Sequence, residues 1–188
     1  MKRIMTYCLT VLLAAITAVS CGGGAAGVTT PGPSPSFLTS FTPDQPTPGN
    51  NSVSLSQAPG GGGNLVTVNV GVTGVNDVFG ASFRIVYDPA LVDFENWSQG
   101  SLIEGAGNTA LYQVSAVTPG QVEVGIGCAG CASGINVGST STIIQIVFRA
   151  TSSGNSALTF VAADLLNSQS PPTPIAGLTW DGGTLTAQ

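Results

Sequence analysis

Phe79 to Tyr87 alternates and then stops dead, and that combination admits few folds. Phe83, Ile85 and Tyr87 fall on one face, Ser82 and Arg84 on the other, with Val86 the exception. This is the two-residue period of a half-buried strand. Asp88-Pro89 ends it, because Pro89 has no N–H for a ladder and biases Asp88 away from helical geometry. The Asp88 carboxylate can accept N–H groups just downstream, which turns the stop into a tight corner. Leu91, Val92 and Phe94 then open a second apolar segment. Strand, corner, strand is a unit that needs sheet partners from the rest of the chain.

Those partners follow at regular spacing. Val53 to Ala58 is short and runs into Pro59 and four glycines, and Leu65 to Val72 puts Val66, Val68, Val70 and Val72 on one face. Val92 to Leu102 continues from the corner. Leu111 to Ala116 and Gln121 to Gly127 flank the turn Thr118-Pro119-Gly120. Thr142 to Ala150 alternates through Ile144, Ile146 and Phe148, and Ala157 to Leu166 turns Leu158 and Phe160 inward. Leu178 to Thr186 closes the chain, with Asp181-Gly182-Gly183 expected as a bulge that re-phases it. Nine such strands predict an all-β fold, a two-sheet sandwich. Composition agrees, since only 7% of residues are charged and long amphipathic helices need more.

The chain divides into three parts. Residues 1–20 have a basic start, Lys2 and Arg3, then Ile4 to Val19 without a charge, the pattern of a secretory signal. Small residues at Ala18 and Ser20 suit an ordinary signal peptidase. Cys21 directly after them makes the stretch resemble a bacterial lipoprotein lipobox, in which the cysteine is acylated and becomes the mature N-terminus. That resemblance implies a membrane anchor at Cys21 and an exported, extracytoplasmic domain, at the outer membrane if the cell has two. Residues 21–50 are rich in Gly, Pro, Ser and Thr and read as a semi-stiff tether. Phe37, Leu38 and Phe41 are its only apolar interruption, expected to be solvated with the rest. Residues 51–188 are the folded domain.

Two absences narrow the chemistry. There is no histidine, which removes Ser-His-Asp and Cys-His catalysis and every histidine-ligated metal. After residue 20 two arginines face nine carboxylates, a net charge of −7, which a nucleic-acid backbone would repel. Cys128 and Cys131 are too few sulfurs for a zinc site, and in an exported protein they read as a local disulfide. Asp93 and Glu95 could suggest acid–base work, but no enclosing cleft or separation of their pKa values is visible. Trp97 and Trp180 are expected in the core, while Tyr112 stays open. No catalytic constellation, metal set or cofactor motif is found, and the domain is read as non-enzymatic.

The stretch F-R-I-V-Y-D-P-A-L-V-D-F, with the following N-W-S-Q-G-S-L-I, resembles the cohesin family. So do I-I-Q-I-V-F-R-A-T, then L-T-F, and the terminal W-D-G-G-T-L-T, in that order over roughly residues 53–188. The resemblance implies a nine-stranded jelly roll and a protein-binding role. In the family, outward residues of the third, fifth, sixth and eighth strands grip a calcium-loaded, helical dockerin. Carried over, that face is Ser82, Arg84, Gln113, Ser115, Glu123, Gly125, Val161 and Ala163. The family often has a larger apolar residue where Gly125 sits. The expected partner is a dockerin-like module in a polysaccharide-associated complex. Two alternatives are a carbohydrate-binding module, which would show exposed coplanar aromatics, and a sandwich that self-assembles.

Overall fold

A computed structural model describes residues 36–188. In chain order the strands are β1 (Thr39–Pro43), β2 (Ser52–Gln57), β3 (Leu65–Thr73), β4 (Val75–Val78), β5 (Gly80–Val86), β6 (Val92–Gln99) and β7 (Thr109–Ser115). Then come β8 (Gln121–Ala129), β9 (Ile135–Val137), β10 (Ser141–Ala150), β11 (Gly154–Leu166), β12 (Thr179–Asp181) and β13 (Gly183–Ala187). One 3₁₀ turn, Glu104–Ala106, precedes β7. The strands form a six-stranded sheet, β1-β13-β11-β5-β8-β7, a five-stranded sheet, β12-β2-β3-β10-β6, and a small β4-β9 pair.

The alternating runs meet between the two sheets. Val66, Val68, Val70 and Val72 of β3 are fully buried, as are Ile144, Ile146 and Phe148 of β10. Phe83 and Ile85 of β5 and Val122, Val124 and Ile126 of β8 close on them from the six-stranded sheet. Each such side chain contributes roughly 1.5–3 kcal/mol of burial, which is what sets strand register here.

The corner after β5 is built as its residues suggest. Asp88 Oδ1 accepts the Ala90 N–H at 2.9 Å, and the Asp88 carbonyl accepts from Leu91 and Val92. The Asp88 N–H is itself held by Ser156 Oγ at 2.9 Å, so the corner is docked on β11.

Three features differ from the sequence reading. The strand count exceeds nine because β4, β9 and β12 are three- or four-residue pieces too short to show a period, and because β1 lies in the proline-rich segment. There Phe41 is not solvated: it is 5% exposed and belongs to the core, and β1 runs antiparallel to β13 from Thr39↔Ala187 to Pro43↔Gly183. Flanking prolines masked a strand that needs only one buried ring and a free sheet edge. Finally, Gly182 is a change of sheet and not a bulge. β12 before it pairs in parallel with β2, and β13 after it joins β11 in the other sheet. A Cβ at Gly182 would strike the Leu158 carbonyl, and one at Gly183 the ring of Phe41, so the crossing is restricted to glycine.

Candidate functional site

β11, β5, β8 and β7 are consecutive neighbours in the six-stranded sheet, and their outward side chains lie in rows. One row runs Val161, Arg84, Glu123, Ser115. The next runs Asp164, Ser82, Gly125, Gln113. Arg84 Nε sits 3.0 Å from Glu123 Oε1, both side chains about half exposed at 47% and 49%. Gly125, flanked by small Ser82, leaves a concavity of about 250 Å³. Its lining is Ser82, Arg84, Gln113, Ser115, Glu123 and Gly125, with Ala162 on one wall.

Seven of the eight residues assigned to a partner face therefore share one surface, and six of them line a single dent. Ala163 does not join them. It packs against the core, because β11 carries an extra residue between Val161 and Asp164. Ala162 takes up that residue at φ 47°, a left-handed conformation uncommon for alanine. The strand's phase reverses there, so Asp164 points outward beside Ser82 and Leu165 turns in, fully buried. Strict alternation from Leu158 and Phe160 would have sent Asp164 into the core. A carboxylate in the core phase, followed by a leucine out of phase, was the readable sign of the bulge.

Among the described residues the exposed large hydrophobics are Leu38, Leu111, Val117 and Val161. Val161 and Leu111 lie on this face, at 44% and 63% exposure, and Val117 is two residues past Ser115 in the turn to β8. Two of the four thus lie on this face, and a third is in the adjoining turn.

The remaining candidates resolve into packing. Trp97 stacks on Tyr112 at 5.2 Å, and the Tyr112 hydroxyl donates to the Ile143 carbonyl at 3.1 Å. Burial raises the Tyr112 phenol above its ordinary pKa. Trp180 packs edge-on against Phe160 at 5.0 Å and against Phe83 at 6.0 Å. These three rings turn toward the sandwich, not toward an open platform. Glu95 is gripped by Arg149, with Nε 2.8 Å from Oε2 and a second bond to Oε1. That fork holds the Glu95 carboxyl below its usual range, the opposite of what a general acid needs. Cys128 and Cys131 are joined, Cα atoms 5.7 Å apart, around Gly130 at φ 73°. Cys21 lies outside the described residues.

A different acid acts as a staple. The Asp77 carboxylate accepts the Ser168 hydroxyl at 2.6 Å, the Ser168 N–H at 3.3 Å and the Gly134 N–H at 3.1 Å. These bonds, the Ser168 hydroxyl foremost, lower its pKa. They tie β4 to the loops after β8 and β11, and no sequence motif announces them.

Compared with known proteins, residues 52–185 match the model of the cohesin domain. The fold is similar to the sixth cohesin of scaffoldin B from Acetivibrio cellulolyticus, solved in complex with a Cel5 dockerin: 17% identity, TM-score 0.54, covering 72% of this chain and 95% of that one. It is also similar to the seventh ScaB type I cohesin of Pseudobacteroides cellulosolvens, at 18% identity and TM-score 0.55, covering 70% and 88%. The third ScaC cohesin of Acetivibrio cellulolyticus, solved with a ScaB dockerin, matches at 21% identity and TM-score 0.51, covering 63% and 86%. A comparison with curated proteins finds no match.

Proposed function

The chain belongs to the cohesin family, and from that premise we propose that it docks a dockerin-type protein module on the outward face of β11, β5, β8 and β7. Cohesin domains are non-catalytic binding modules, so the face is to be judged as an interface. One observation carries the reading: small residues at Ser82, Ser115 and Gly125 open a dent on that face, and Leu111 and Val161 are exposed on the same strands. Protein interfaces concentrate their energy in a few large side chains that fill hollows on the partner. On a sheet of small residues the large anchor must come from the partner, and Gly125 provides the room. The dockerin complexes of two of the similar cohesins support the class of partner.

We place the domain outside the cytoplasm, held by acyl chains on Cys21 through the Gly/Pro-rich segment that follows. Each buried CH₂ would contribute about 0.8 kcal/mol, so several chains suffice for stable anchoring. The module would then hold its partner at the cell surface, within a polysaccharide-associated complex.

The test is capture by the immobilised full chain from a panel of purified dockerin-type modules and insoluble polysaccharides, with and without EDTA. The reading expects a dockerin-type module to be retained in calcium and released by the chelator. Retention on polysaccharide alone, indifferent to EDTA, would replace it with direct sugar binding.

A further inference from the structure

We infer that Asp164 is a specificity-determining residue of the docking face, and that it selects a partner helix carrying a lysine or arginine at the contact. The inference rests on the docking reading above and adds the sign of the partner's charge.

Three observations lead to it. The first is the bulge. Between β5 and β11, Val161 stands opposite Arg84 and Asp164 opposite Ser82, so two steps on β5 are matched by three on β11. The extra step is absorbed at Ala162, φ 47°, in a residue type that gains nothing from that conformation. Strained bulges of this kind re-aim side chains beside functional surfaces. Here the re-aimed side chain is a carboxylate, one strand over from Ser82 on the flank of the dent, while Ala162 forms the dent's wall.

The second is the arrangement of charges. The described residues hold two arginines, and each is already matched: Arg84 to Glu123, and Arg149 to Glu95. Asp164 is exposed and makes no ion pair with either. Arg84 lies on the neighbouring row, but its Nε is turned to Glu123 on the far side.

The third is the surrounding field. Past the signal segment the chain carries net charge −7, so an acidic partner would be repelled on approach and a basic one drawn in. A cation therefore has to be supplied from outside, and Asp164 is the acceptor presented for it. The adjacent apolar pair, Val161 and the wall at Ala162, suits the aliphatic stem of a lysine or arginine whose charged end reaches the carboxylate.

The test is a specificity swap. A calcium-loaded dockerin-type helix pair, displayed on phage with its outward helix positions randomised, is selected against the immobilised full chain and against its Asp164→Lys variant. Asp164 is exposed, so the substitution leaves the core alone, and Asp164→Asn serves as a second, charge-neutral variant. The expected result is enrichment of Lys or Arg at one contact position on the wild type, weakened on Asp164→Asn and replaced by Asp or Glu on Asp164→Lys. The preference should exceed about tenfold, given what like-charge juxtaposition costs. A Glu104→Lys control, which alters net charge on the 3₁₀ turn, should keep the wild-type preference. If the same helices are enriched on every variant, docking stands and the role of Asp164 is overturned. If no helix is enriched on the wild type, the docking reading falls, and this inference with it.

Discussion

The hydroxyl of Tyr112 donates to the backbone carbonyl of Ile143 at 3.1 Å, joining edge strand β7 of one sheet to β10 of the other. Ile143 sits at the bulge of β10 between Thr142 and Ile144, and its carbonyl also accepts the Gly100 N–H at 3.2 Å. Trp97 of β6 packs on the Tyr112 ring, centroids 5.2 Å apart. Tyr112→Phe keeps the ring and removes one of that carbonyl's two donors, so it should cost about 1 kcal/mol, read as a lower midpoint in urea with an unchanged slope. Polysaccharide retention, if there is any, should not change, because the ring belongs to the seam.

Phe41 gives the proline-rich segment a share in the core. Phe41→Ala should destabilise the domain by about 3 kcal/mol, the low end for a buried phenylalanine because β1 is an edge strand that can peel away. Hydrogen exchange should show β13 losing protection along Gly183–Ala187 before the rest of the sandwich. Equal protection in wild type and variant would mean that β1 is not paired in solution.

Asp77 predicts an acid limit. Its folded pKa is depressed by the Ser168 and Gly134 hydrogen bonds, so its contribution is complete above the unfolded aspartate value, about 3.9. It is lost as pH falls from there through the lower folded value. Glu95, depressed by Arg149, acts in the same direction from its own unfolded value, about 4.3. Thermal midpoints measured from pH 7 down to pH 2 should fall at the acid end. Asp77→Asn should flatten that fall while lowering stability at pH 7, and an identical profile for the variant would refute the staple.

Cys128 and Cys131 close a loop of only four residues, so chain entropy assigns their bond about 2 kcal/mol or less. Reduction should shift the unfolding midpoint modestly and leave the proposed binding at the Gly125 dent intact. Cys128 is buried in the core, and as a small apolar side chain it stays there with or without the bond.

The sandwich was legible because its long strands advertise themselves. Val66 to Val72 or Ile144 to Phe148 can be read only as faces of a sheet. The outward surface implied by the cohesin resemblance was legible as far as alternation held, through Ser82, Arg84, Gln113, Ser115, Glu123, Gly125 and Val161. It failed at Ala163, where one inserted residue reverses the phase, and the only local mark of it is Asp164 in the core phase with Leu165 out of it. Phe41 was missed for a related reason. A single aromatic between prolines has no period, and its value depends on the edge of β13, whose partner strand lies at the other end of the chain. The Asp77 staple depends on three segments meeting in space, which spacing along one chain does not encode.

Gly125→Leu in the dockerin capture experiment tests the account most directly. A Cβ there meets nothing closer than Gln113, at 3.9 Å, so the fold should accept the side chain, and thermal unfolding should confirm it. The leucine would occupy the dent that the partner's anchor is proposed to enter. The account predicts that wild-type chain retains a calcium-loaded dockerin-type module, while Gly125→Leu, equally folded, loses more than about tenfold in affinity, as for a blocked hot spot. Equal affinity of the two proteins would contradict it, and would place the docking surface elsewhere on the sandwich.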